Sequence, residues 1–231
     1  MTDGRRAVPS AVEAEPAAQN AAAEGGGARD AVAAAVWVQT FETLANRIAH
    51  DLRNALNAVA VNLEVVRSRS ARGAESGAIA PFAATAAGQY EGASSAAEAL
   101  LALARPQPGD ADVAAIVGHL GRLIGVRNDT AFRVTDTAGG RARTPVPDDI
   151  VRAVVARSVL GALDVGDSVA CETTVDGDIF LRVTGASHVA SPDPELVAVA
   201  SAYGVRFASQ GNTLEVRFPV AGARATPSAP A

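Results

Sequence analysis

Lysine is absent from this sequence, so all 20 of its basic residues are arginines, set against 25 acidic ones for a net charge of −5. We read the arginine usage as coding bias. The acidic balance argues against nucleic acid as a partner, because a binder of phosphate backbones carries a basic face. Cysteine occurs once, at Cys171, so no disulfide can close within the chain and a reducing compartment is expected. Long hydrophobic runs are missing too, and nothing approaches the roughly 20 residues needed to cross a bilayer. From Met1 to Asp30 the chain passes from Arg5-Arg6 to Ala, Glu, Gly and Pro, without the apolar stretch of a secretory signal. These absences lead us to expect a cytoplasmic protein with no membrane contact.

The 231 residues are 48% hydrophobic, enough for the core of one ordinary domain or two small ones. Residues 1–30 are low in complexity, include Gly25-Gly26-Gly27, and read as a disordered arm; residues 221–231 read as a disordered tail. Two units of different texture lie between them. In the first, residues 31–106, the apolar positions Trp37, Phe41, Leu44, Ile48, Leu52, Ala55, Val59, Leu63 and Val66 recur every three or four residues. That is the stripe of one long amphipathic helix running to about Arg69. Ser70, Gly73, Ser76 and Gly77 supply a loop, and a second helix is predicted from Pro81, in its first turn, to Ala104. Pro106 and Pro108 end it. Two such helices leave too much apolar stripe uncovered, which predicts a homodimer closing a four-helix bundle.

The second unit, residues 110–220, mixes helix and strand. The pattern predicts helices over Val113–Ile124, Asp148–Leu163 and Pro194–Ala202, and strands over Ala131–Thr135, Val169–Val175, Ile179–Thr184 and Thr213–Phe218. The turn Asp176-Gly177-Asp178 joins two of the strands as a hairpin. The fold class expected for the whole chain is therefore α+β: a long helical hairpin followed by a small sandwich with helices on one face of a mixed sheet.

The one dense functional signal is His50-Asp51-Leu52-Arg53-Asn54-Ala55-Leu56-Asn57. At 100° per residue the apolar stripe averages roughly 165° from His50, so the imidazole points away from the core. Asn46, Arg47, Arg53, Asn54 and Asn57 fall within about 60° of it on the same polar face. A core histidine does not fit that angle, which leaves a random surface residue or a functional one. An exposed imidazole accepts a phosphoryl group readily, with Asp51 placed to take or orient the ring proton. Arg47 and Arg53 would offset the incoming charge. Exposure also suits a docking partner that must approach in line.

His-Asp-Leu-Arg-Asn-Ala-Leu resembles the H-box of two-component histidine kinases, usually His-Asp/Glu-Leu-Arg/Lys-Asn/Thr-Pro-Leu. The resemblance is close along the long helix and looser across both units. It implies that His50 carries the phosphoryl group and Asp51 assists proton transfer. It also implies that Asn54 stands where bifunctional members position water to dephosphorylate a response regulator. Ala55 replaces the proline that bends the helix, which puts that bend in doubt.

The ATP chemistry of that family is missing from the second unit. Where an N-box would place its magnesium-holding asparagine, Ser158-Val159-Leu160-Gly161-Ala162-Leu163-Asp164-Val165 has Gly161, which has no side chain to ligate a cation that prefers oxygen. Where an Asp-x-Gly-x-Gly box should follow the hairpin, Gly185-Ala186-Ser187-His188-Val189 holds no acid. Only about nine residues, Gly185 to Asp193, precede the next helix, too few for a nucleotide lid. The resemblance thus narrows to dimeric histidine phosphotransferases, in which a degenerate kinase-type ATPase domain follows the hairpin. It implies no cofactor, ATP binding lost, and Mg²⁺ only on the partner. The implied partners are response-regulator receiver domains and, as a further one, a hybrid histidine kinase. Two rival readings stay open. One is a non-enzymatic adaptor that binds a kinase or response regulator, with His50 a relic; the other is a response-regulator phosphatase using Asn54.

The remaining candidates read as structural. His119 and His188 show no metal-ligand spacing, nor does any other set, so no metal is expected. Cys171 alternates with strand positions and reads as a small buried apolar residue. Asp148-Asp149 opens a helix, where carboxylates are favoured. Gly139-Gly140 makes a turn and, with no GK[ST] after it, is not a phosphate loop. Trp37 and Phe41 begin the apolar stripe and read as core.

Overall fold

A computed structural model describes residues 15–125, 131–166, 168–187, 189–190 and 193–221. Helix α1 spans Glu15–Ala71 and α2 spans Ser76–Ala104, joined by a turn that needs glycine at Gly73, whose φ is +74°. The two helices pack antiparallel along the stripe, with Asn62 donating to Gln89 Oε1 and Arg69 donating to the Ala78 carbonyl while stacking on Phe82.

Two boundaries correct the sequence reading. Residues 15–30 belong to α1 rather than to a disordered arm; alanine, the best helix former, dominates residues 17–23 there. Residues 1–14 lie outside the described ones, as do residues 222–231 of the expected tail. Helix α2 begins five residues before Pro81, which sits inside it. At the sixth helical position proline forgoes one intrahelical bond, the one an N–H there would make to the Gly77 carbonyl.

The second unit starts with the short strand β1 (Ala111–Asp112), then α3 (Val113–Ile124), capped by Asp112 accepting from the Ala115 amide. Strands β2 (Ala131–Asp136) and β3 (Arg143–Thr144) precede α4 (Asp148–Leu163). The hairpin β4 (Ser168–Asp176) and β5 (Asp178–Gly185) follows, turned by Gly177 at φ +69°. Helix α5 (Pro194–Ser201) leads to β6 (Arg206–Gln210) and β7 (Thr213–Phe218). The main sheet runs β2-β4-β5-β7-β6, with only β2–β4 parallel, and β1 pairs with β3 separately. Alternation along β4, β5 and β7 turns Val169, Cys171, Thr173, Ile179, Leu181, Val183, Leu214, Val216 and Phe218 inward onto α3 and α4. The chain is α+β, with α3 and α4 packed against the mixed sheet and the α1–α2 hairpin packed against those helices.

The two units share one core. Ala33, Trp37, Leu44 and Ile48 of α1 and Ala96, Ala99 and Leu103 of α2 join the apolar cluster that continues through α3, α4 and the sheet. Part of the stripe expected to seek a second copy is therefore covered within the chain, by α4 lying against α1 and α3 against α2. Arg152 of α4 closes this junction: 2% exposed, it pairs with Asp148 and Asp149, donates to the Leu103 carbonyl and stacks over Trp37.

Candidate functional site

The rotation of α1 fixes where His50 points. Leu44 and Ile48 are buried and Leu52 half-buried, so the opposite side of the helix faces solvent. The His50 side chain is 70% exposed there, with Asn46, Arg53, Asn54 and Asn57 exposed on the same face. His50 Nδ1 stands 3.4 Å from Asp51 Oδ1 and 3.2 Å from Asn54 Nδ2, the latter one helical turn away. Both contacts engage Nδ1 and neither occupies Nε2.

These two contacts favour opposite tautomers. A neutral imidazole has one N–H and one lone pair. If Nδ1–H donates to Asp51, the lone pair lies on Nε2, and that nitrogen is the nucleophile. If the Asn54 amide donates to Nδ1, the proton sits on Nε2 and the outward nitrogen is blocked. Of the two contacts, the one to Asp51 is the one compatible with a free lone pair on Nε2. Its side chain is only 15% exposed, and its Oδ2 is sealed with no hydrogen-bond partner. Among the described residues, the contact of this carboxylate with a cationic or N–H partner is the one to the His50 ring.

The two arginines expected beside the histidine part company. Arg53 stays exposed and makes no ion pair among the described residues. Arg47 reaches across the junction instead, its Nη1 2.8 Å from Asp164 Oδ1, just past the end of α4. Arg157, one face along α4, donates from Nε to Thr40 Oγ1 and from Nη2 to Gln39 Oε1. These cross-junction residues lie about 117 positions apart in the chain, and no local pattern announces them.

The stretch matched to an N-box lies on α4, and the connection after β5 packs directly upon it. A Cβ at Gly161 would stand 3.6 Å from Ala190 Cβ, and one at Gly166 would meet Ala186 Cβ at 2.8 Å. Val189 between them is buried. The connection thus lies in van der Waals contact with Gly161 and leaves no room for a side chain at Gly166.

The other candidates sit apart from His50. His119 on α3 faces Arg122, and burial first, then that guanidinium, lowers its pKa below the ordinary histidine value. Cys171 is buried in β4, and burial pushes its thiol up to about 12. Asp148 and Asp149 hold Arg152, while Gly139 and Gly140 form the expected turn. His188 lies outside the described residues. No helix among the described residues is long and apolar enough to cross a membrane.

No protein-family model and no curated protein matches the sequence. Solved structures similar in shape include histidine kinases and a phosphotransferase. A bacterial phosphotransferase is 14% identical over 78% of this chain and 95% of its own, with a TM-score of 0.43. A histidine kinase from Burkholderia phymatum STM815 is 12% identical over 79% and 98%, at 0.39. The Acinetobacter baumannii histidine kinase AdeS is 12% identical over 74% and 98%, at 0.35. Likeness at that level assigns neither an activity nor a site.

Proposed function

We propose that this protein is a histidine phosphotransferase that relays phosphoryl groups between response-regulator receiver domains through His50, without phosphorylating itself from ATP. The observation that carries the reading is the exposed His50 with its Nδ1 engaged by Asp51 and Asn54 and its Nε2 unengaged. In the step itself, the P–O bond of a receiver's aspartyl phosphate breaks as a P–N bond forms at Nε2. Asp51 holds the Nδ1 proton and offsets the charge gained by the ring, and Arg53 faces the transferred oxygens. Reversal onto a second receiver completes the relay. Mg²⁺ belongs to the receivers, and this chain needs no cofactor.

Two further features support the reading. Gly161, which has no oxygen ligand to offer a cation, lies against the connection after β5, and this favours loss of ATP binding. Leu56 and Leu63, both exposed and one heptad apart on α1, offer the remaining seam for a homodimeric four-helix bundle. The exposed Asn54 amide also favours a second activity, orienting water for receiver dephosphorylation. The test supplies labelled ATP–Mg²⁺ and labelled phospho-receiver separately as donors. Label from the receiver alone supports the relay. Label from ATP alone overturns it, and binding of a receiver without any label leaves an adaptor as the better account.

A further inference from the structure

Arg47 lies three residues before His50 and within about 60° of it around the helix, so the two side chains are neighbours on one face. Its guanidinium is nevertheless committed to Asp164, at 2.8 Å, on the other side of the junction. The Asp164 side chain is 68% exposed, and exposed ion pairs of this kind hold weakly. A phosphoryl group on His50 would bring close to two negative charges and strong acceptor oxygens within reach of the same guanidinium. A monoanionic, solvated carboxylate competes poorly with it.

From this geometry we infer that Arg47 and Asp164 form a phosphorylation-sensitive latch. Arg47 leaves Asp164 for the phosphoryl oxygens when His50 is phosphorylated, and the last turn of α4 is released from α1. The inference rests on His50 being the phosphorylated residue. Release stays local, because Arg157 still donates to Thr40 and Gln39, and Arg152 still binds the Leu103 carbonyl. The second unit thereby registers the phosphorylation state of the hairpin although the two are packed as one core.

The test phosphorylates the full chain chemically with potassium phosphoramidate, whose P–N bond breaks as phosphorus bonds to the imidazole and ammonia departs. Intact mass and acid lability verify the product, with His50→Ala as the blank. Amide hydrogen exchange is then followed over residues 158–166. The latch predicts about two- to fivefold faster exchange there after phosphorylation, the range an exposed ion pair spans. It predicts the same acceleration, with no further rise on phosphorylation, in Asp164→Ala. Phosphorylated His50 with unchanged exchange overturns the latch and leaves the relay intact. A rise that persists undiminished in Asp164→Ala also overturns it. A His50 that accepts no phosphoryl group from phosphoramidate or any receiver overturns both.

Discussion

Asn54 Nδ2 and Asp51 Oδ1 approach the same nitrogen of His50, at 3.2 Å and 3.4 Å, from positions four and one residues along the helix. Because the two contacts favour opposite tautomers, their removal has unequal consequences. Asp51→Ala is expected to slow phosphoryl uptake from a phospho-receiver by about 100-fold, the lower range for losing a positioned general base. Asn54→Ala is expected to leave uptake within about threefold, because it removes the contact that favours the blocked tautomer. The same Asn54 variant should lose receiver dephosphorylation if the second activity operates. Rapid-quench single turnovers measure the rates, and equal losses in the two variants would contradict the tautomer assignment.

Arg152 is the cation of a nearly dry site. Asp148, 9% exposed, pairs with it through Oδ2, while Oδ1 is buried without a partner. Arg152→Met leaves that carboxylate without its cation, with the Gln107 amide still donating to Oδ2, and is expected to cost about 3–5 kcal/mol, the usual penalty for removing one partner of a buried pair. At roughly 2–4 °C per kcal/mol for a chain of this size, Tm falls by roughly 6–20 °C. The double variant Arg152→Met/Asp148→Leu should recover at least half of the loss. Thermal unfolding followed by circular dichroism checks both.

Much of the fold is legible in the sequence, for reasons particular to each element. Val113–Ile124 and Thr213–Phe218 keep a clean periodicity, Asp148–Leu163 is a long apolar run after Pro145 and Pro147, and the structure repeats those bounds. Strand β6 escapes because Arg206–Gln210 is an exposed edge with no apolar alternation. The outward direction of His50 follows from helix geometry alone, since the apolar stripe dictates it. What escapes is the junction. The stripe through Trp37, Leu44 and Ile48 shows that something covers it, but whether the cover is a second copy or α4 depends on packing between segments far apart in the chain. The engagement of Arg47 with Asp164 is hidden for the same reason.

Cys171 provides a pH signature. Burial raises its thiol from 9.0 to about 12. The folded state therefore keeps a proton that the unfolded chain loses first. The stability tied to this group is complete below about pH 9 and is lost as pH climbs toward 12. Alkaline unfolding of the wild type should occur at lower pH than that of Cys171→Ala, and a thiol reagent at pH 8 should label Cys171 only after denaturation. Rapid labelling of the folded protein would contradict the burial.

Leu56 and Leu63 lie a heptad apart on α1 and are more than half exposed in the single chain. Leu56→Asp/Leu63→Asp is expected to convert a dimer to a monomer with its helical signal retained. Sedimentation velocity measures this, and a wild type that sediments as a monomer at tens of micromolar would contradict the bundle.

The most direct test of the central claim is transfer from a labelled phospho-receiver to the wild type and to His50→Ala, with the product split between acid and alkali. The account predicts one phosphoryl group per chain, labile in acid and stable in alkali, absent from His50→Ala and never acquired from ATP–Mg²⁺. Equal label on His50→Ala, or a product stable to acid, would contradict it.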